Sequence, residues 1–268
     1  MNDNLKQHFR DSEAPFIEQV TGWLRQVADQ YRPILTAFLN PRQIYIAQTL
    51  VNQLDDVRMR ASGGFEGAEL QRILFYPVYY EPEVADFQIT LFNIVYPVKF
   101  ATLKHGQILG TLANAGVERD VFGDIVTDGT TWQFVCETEM ASYFEEQIDR
   151  FGKTKVHLTA VPLSAVITPE DDWEAVTTTV SSLRADSIIK AAFNLSRHHA
   201  KELIEGAKVR LNWADLPKAD YELALLDMLS VNHYGRVRLA EISGETKKAR
   251  LRITLNTVSY THLRAHET

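Results

Sequence analysis

The chain has 268 residues, 45% hydrophobic and 24% charged, with a formal net charge of −7, the proportions of a globular protein. Its one cysteine, Cys136, excludes an intrachain disulfide, and no apolar run approaches the roughly 20 residues that would span a bilayer. The opening Met-Asn-Asp-Asn-Leu-Lys-Gln-His lacks the basic-then-apolar order of a secretion signal, so a reducing cytoplasm is expected.

In the first segment, Phe16, Val20, Trp23, Leu24, Val27 and Tyr31 recur every three or four residues. That spacing predicts an amphipathic helix over 15–31, bounded by Pro33. Asn40-Pro41 is a helix start, with Asn as cap and Pro at the first helical position. Ile44, Ala47, Leu50, Val51 and Leu54 then form a second apolar stripe. Residues 57–61 alternate at period two, Ser62-Gly63-Gly64 turns the chain, and 72–76 reads as another strand. Residues 1–80 are thus expected to form a small α/β unit. Arg58, Arg60 and Arg72 are expected to line up outward as a basic row, either a binding surface or ordinary solvation.

Residues 81–165 show a clear order. Strand-like 86–96 is followed by helix-like 104–115, a short strand at 124–126, the Asp128-Gly129 hairpin signal, a return strand at 132–136, a helix over 140–151 and a strand over 155–161. The order β-α-β-β-α-β predicts a ferredoxin-like (RRM-like) domain. RNA-recognition modules of this kind stack bases on aromatics of the open sheet face. Trp132 and Phe134 occupy such a strand, but Asp124, Asp128, Glu137 and Glu139 surround them and would repel phosphate, so packing is the expected role. Asp124 and Asp128 are read as turn formers rather than a catalytic pair. Cys136, in an apolar alternation, is read as a buried inert thiol.

Residues 166–180 are expected to be an acidic linker. Charge changes sign beyond it. Residues 1–180 hold 14 Lys/Arg against 25 Asp/Glu, whereas 181–255 hold 13 against 9. A basic module on an acidic body suits a polyanionic partner.

In that module Leu183, Ile188, Ala191 and Ala192 suit one helix face, which Asn194 ends as a left-handed cap. Ser196 reads as the N-cap of a second helix. There Ala200, Leu203 and Ile204 share one face and Arg197 and Lys201 another, and Gly206 closes the helix. Residues 208–211 alternate as a strand. Arg184, Arg197, Lys201, Lys208 and Arg210 are expected to converge on one side, suited to phosphate oxygens; a solvated amphipathic helix pair is the alternative. Later, Lys247, Lys248, Arg250 and Arg252 add positive charge. Residues 256–268 follow no periodicity and resemble translated adapter sequence, foreign to the chain.

Arg184-Ala185-Asp186, Ser196-Arg197, Ala200, Leu203-Ile204, Gly206, Val209 and Asn212 resemble the αL RNA-binding motif named after the small-subunit ribosomal protein S-four. Trp213 stands where Gly is usual, and Leu226-Asp227 replaces the usual Gly-Asp. The resemblance implies RNA contacts at Arg184, Ser196 and Arg197; Lys201, Lys208, Arg210 and Asn212 follow by spacing. His198 and His199 are either further contacts or plain surface histidines.

Beyond the motif, residues 39–43, 62–69, 76–77 and 119–125 match recurring blocks of the YlmH family, a resemblance covering about residues 5–255. It implies a non-enzymatic RNA-binding protein of the large ribosomal subunit, contacting ribosomal RNA and peptidyl-tRNA alongside other quality-control factors in ribosome-associated quality control of translation. The family is also labelled as cell-division-related. The rivals are an RNA-modifying enzyme of the pseudouridine-synthase type and a division scaffold binding proteins through the acidic body. No Gly-rich phosphate loop, Cys/His metal spacing or nucleophile elbow occurs, so no catalytic residue, cofactor or metal is expected. The expected fold class is α+β: an α/β unit (1–80), a ferredoxin-like domain (81–165), and an S-four-type RNA-binding domain (181–255).

Overall fold

The computed structural model describes residues 9–167 and 173–259, except 213, 217, 247 and 248. The core of the expected acidic linker, Trp213, Lys247, Lys248 and the tail from 260 therefore lie outside the described residues. The chain divides into two compact units, at residues 170/171.

The first unit begins with helix α1 (Ala14–Gln30), strand β1 (Ile34–Leu39), helix α2 (Pro41–Val51) and strands β2 (Val57–Ser62) and β3 (Gln71–Pro77). Tyr31 adopts a left-handed conformation just after α1 (φ 52°), which ends the helix before Pro33. Asn40 caps α2 by accepting from the Gln43 N–H at 3.0 Å, and the Gln43 side chain accepts from the Asn40 N–H in return. Such a reciprocal box contributes about 1 kcal/mol. The sheet runs β1-β3-β2, all antiparallel. One face carries both helices over a core that includes Val20, Leu24, Ile46, Leu50, Ile73 and Phe75.

Strand β4 (Ile89–Val95), helix α3 (His105–Ala113), strands β5 (Phe122–Thr127) and β6 (Trp132–Glu137), helix α4 (Ala141–Gln147), the hairpin β7 (Arg150–Phe151) and β8 (Thr154–Lys155), and β9 (His157–Val161) follow. The expected helix over 140–151 is shorter. It stops at Gln147, and the chain turns back through Gly152 (φ +59°). The sheet order is β5-β6-β4-β9, with antiparallel neighbours, the order a split βαβ repeat produces. Trp132, Phe134 and Phe92 point into the helix side, where Ile108, Leu112 and Phe144 complete a core. Packing is thus their role. The opposite sheet face is covered. Gln133 is clasped by Ala165 and Ile167 from the chain beyond β9, and Gly64 leaves room for no more than Ile89, Val135 and Leu163 above it.

The two halves of this unit are joined by polar groups and by glycines. Asp124, on an irregular stretch of β5 between Phe122 and Ile125, accepts from the backbone N–H of Glu69 at 2.6 Å and of Leu70 at 3.3 Å. A Cβ on Gly123 would lie 2.7 Å from Phe38 and from Val135, so the join requires glycine there. Arg72 corrects the expected outward row. It is buried, donating to the Thr36 carbonyl at 2.7 Å and the Gln88 carbonyl at 3.0 Å, and paired with Glu137 at 3.2 Å. Alternation placed it on the right face, but at that end of the face the next domain covers it. Arg58 and Arg60 remain exposed. Asp128 accepts from the Thr130 and Thr131 N–H groups, as a turn former does. Cys136 is fully buried, and burial pushes its thiol up to about 12, which leaves it unreactive.

The second unit contains β10 (Glu174–Val180), helices α5 (Ala185–Phe193) and α6 (Arg197–Glu205), and β11 (Val209–Leu211), β12 (Ala214–Asp215), β13 (Met228–Val231), β14 (Gly235–Glu245) and β15 (Leu251–Ser259). They form a sheet in the order β10-β15-β14-β13-β11-β12. Two expectations need correction here. Residues 174–180, read as linker, pair with β15 along their whole length, and 256–259, read as foreign tail, continue β15. Their Thr- and Val-rich sequence is strand-compatible once a neighbouring strand supplies the ladder. Both helices bury one face on the sheet through Ile188, Ile189, Ala200, Leu203 and Ile204, in one core with Leu239 of β14.

Candidate functional site

The helix pair is built as its sequence requires. Asn194 ends α5 in a left-handed conformation (φ 52°). Ser196 caps α6, its hydroxyl accepting from the His199 N–H at 3.1 Å. At the end of α6, Gly206 occupies the C-cap, while the left-handed residue is the next one, Ala207 (φ 54°).

At the head of the pair sits Asp186, 2% exposed. Its carboxylate accepts from Arg184 Nε at 3.2 Å and Nη2 at 3.1 Å, and from Arg197 Nε at 3.0 Å. Burial alone would raise this carboxyl, but the hydrogen bonds from Arg184 and Arg197 outweigh it and hold the group below the usual carboxylate range. The arginine side chains stay 35% and 54% exposed. Each guanidinium is therefore fixed on one edge and open on another, the geometry that offers charge-assisted hydrogen bonds to an anion with little ordering cost. Sequence reasoning named Asp186 as part of a motif but did not see that it aligns the two arginines.

The other expected residues divide. Lys201 and Arg184 line one cavity of about 500 Å³ with Lys218, Glu205, Asp215 and Asp220. Lys201 also pairs with Glu205 at 3.4 Å, and Arg210 with Asp215 at 3.7 Å; such exposed pairs are weak and exchange readily. Lys208 is exposed. His198 is exposed beside Glu202. His199 points elsewhere, to the Tyr234 hydroxyl at 2.9 Å. Ser196 and Asn212 hold the fold. The Asn212 amide donates to buried Asp227 at 2.9 Å, and its carbonyl oxygen accepts from the Met228 N–H at 3.0 Å. Asp227 also accepts from the Ala224 N–H, so the turn forms with Leu226 left-handed (φ 67°) where the motif has Gly.

Sequence reasoning missed Lys218 and a second basic surface. On the sheet, Arg236 and Arg238 lie over the Trp173 ring at 5.1 and 5.4 Å. Alternating Arg in a strand was legible; the tryptophan that covers both was not.

Residues 12–80 match the family description "YlmH, N-terminal", and 82–165 match "Putative RNA-binding domain in YlmH". The chain is 38% identical over 251 residues to the ribosome-associated protein quality control protein P2 of Bacillus subtilis (strain 168), covering 94% of this chain and 97% of that protein. A solved structure, the cell division protein ylmH from Streptococcus pneumoniae, is 36% identical with a TM-score of 0.53, covering 60% of this chain and 98% of that one.

Proposed function

The chain belongs to the YlmH family, and on that premise we propose that it is a non-enzymatic, cytoplasmic RNA-binding protein of the large ribosomal subunit. It contacts ribosomal RNA and peptidyl-tRNA through an S-four-type module in its second unit and serves quality control of stalled translation. The observation that carries this reading is the buried Asp186 holding Arg184 and Arg197 side by side, with their side chains still 35% and 54% exposed. A carboxylate buried for internal stability alone would cover its partners. Here it presents them. The relative named for ribosome-associated quality control spans nearly the whole chain, which supports the ribosome as the place where this basic module acts.

The test must respect the geometry. Reversing Arg184 and Arg197 to Glu would set two carboxylates against buried Asp186 and strain the fold. The triple variant Arg184→Gln/Asp186→Asn/Arg197→Gln removes the charges together and leaves amides to hydrogen-bond one another. Tagged wild-type protein is expected to sediment with large subunits on a sucrose gradient, and the triple variant to stay at the top while still folded, with a cooperative melting transition. A folded triple variant still travelling with the subunits would overturn the assignment.

A further inference from the structure

Residues 9–167 contain four lysines, Lys99, Lys104, Lys153 and Lys155, and the fold gathers all four at one end of the middle domain. Val95 pairs with His157, so the end of β4 and the start of β9 coincide. The loop from β4 to α3 carries Lys99 and Lys104. The β7–β8 hairpin, which leads directly into β9, carries Lys153 and Lys155. The hairpin tip at Gly152 sits against Gln107 in the first turn of α3. All four lysines are exposed, and among the described residues none is paired with a carboxylate. The acids at this end are Asp149, which pairs with Arg150 at 3.1 Å and also feels Lys155, Asp128 in the β5–β6 hairpin beside Tyr96, and the exposed Glu145 and Glu146 on α4. In a unit that is otherwise strongly acidic, this is a local reversal of charge.

Phe100 stands in the same loop, 90% exposed. A phenylalanine in water gains nothing from folding there, and its neighbours Val95 and Val98 are exposed as well. Beside the loop runs a groove of about 620 Å³ between α3, the end of α4 and the hairpin, with Gln107, Thr111, Asn114 and Gln147 among its lining. Gly106 and Gly110 leave open space on α3, with nothing within 4 Å of an added Cβ. The sheet face that RNA-recognition modules use for stacking is closed in this domain by residues 162–167 and Gly64.

We propose that this end of the middle domain is an RNA contact, in which a nucleobase stacks on Phe100 and the adjoining phosphates are met by Lys99, Lys104, Lys153 and Lys155. Aromatic stacking with flanking ammonium groups is the chemistry that grips unpaired nucleotides without reading their sequence. The concentration of every lysine of this stretch favours RNA over an apolar protein partner, and the open backbone of α3 admits close approach of a sugar-phosphate chain. The inference rests on the RNA-binding reading above and adds a second contact, on a different unit from the helix pair.

The experiment measures affinity of the full chain for purified large ribosomal subunits and for ribosomal RNA extracted from them, at several salt concentrations. It compares wild type, Phe100→Ala, Lys153→Glu/Lys155→Glu, and the triple helix-pair variant. Phe100→Ala is expected to weaken binding about tenfold. The lysine double variant is expected to weaken it similarly and to flatten the slope of log affinity against log salt by about 0.7 per lost contact. Because these side chains are exposed, melting temperatures should not move. Unchanged affinity and slope in both variants, with the helix-pair variant impaired, would overturn this contact and leave the main reading standing. Loss on subunits with unchanged binding to naked RNA would assign the patch to a protein and overturn it too. Failure of wild type to bind either probe would remove the RNA reading itself.

Discussion

Each unit contains a carboxylate held by arginine, and the two clusters do opposite things. In the first, Arg72 and Glu137 are both 7% exposed. Burial pushes the Glu137 carboxyl up to about 7, against the pull of Arg72, and burial likewise lowers the Arg72 guanidinium. Every Arg72 donor named here ends on a carbonyl or on Glu137, inside the joint of two domains. In the second, only the acid is buried. Asp186 is held below the usual range while Arg184 and Arg197 reach solvent. The first cluster closes a seam; the second displays cations. The direction of a carboxyl's shift distinguishes them: desolvation dominates where both partners are inside, and hydrogen bonds to the charged form dominate where the cations remain wet.

The largest expected effect comes from breaking the seam. Arg72→Ala leaves Glu137 without its cation in a dry joint and should lower stability by about 3–5 kcal/mol, read as a shifted urea midpoint. Removing the aligned arginines with their acid, as in the triple variant, should cost far less, because those cations already face water.

Acidity should separate the clusters next. Glu137 titrates higher when folded than its ordinary value near 4.5, so the native state holds the extra proton. Stability from this group is present at low pH and falls as pH rises from about 4.5 to about 7. Asp186 titrates lower when folded than its ordinary value near 3.8. Its contribution is present above that value and disappears as pH falls below it. Urea midpoints measured from pH 3 to pH 8 should show both limbs, and Glu137→Gln should flatten the upper one alone. An upper limb unchanged by Glu137→Gln would remove Glu137 from the seam's account.

The smallest effect concerns backbone. Glycine takes positive φ at Gly64 and Gly152, but Tyr31 and Gln88 in the first unit and Ala207, Asn212 and Leu226 in the second take it with a side chain. Leu at φ > 0 is strained by about 1 kcal/mol. Leu226→Gly should therefore raise stability by up to about 1 kcal/mol, visible as a higher melting temperature of the second unit. A fall would mean that the partly buried Leu226 side chain contributes more than its backbone costs.

The helix pair was legible because its signals are local: a 3.6-residue period, an Asn terminator and a Ser cap each act within a turn. The order of the middle domain was legible for the same reason. Strand Ile34–Leu39 was not, because six mostly apolar residues after a proline show no period that separates strand from coil. Strand Glu174–Val180 was missed because its partner, β15, is some eighty residues away. Arg72 was placed on the correct face and given the wrong fate, since alternation reports which side a residue takes and not what arrives to cover it. At the site, Arg184 and Arg197 were named from the motif, while the buried acid that aligns them and the internal duties of Ser196 and Asn212 appear only in three dimensions.

The pairing of Glu174–Val180 with the final strand also bears on where the molecule can be cut. A fragment begun at Ser181, at the edge of the recognisable motif, would strip β15 of its outer neighbour and leave one long edge of unpaired amides and carbonyls, an invitation to strand-to-strand aggregation. Begun just ahead of Trp173, the same fragment keeps its outer strand and the ring that lies over Arg236 and Arg238.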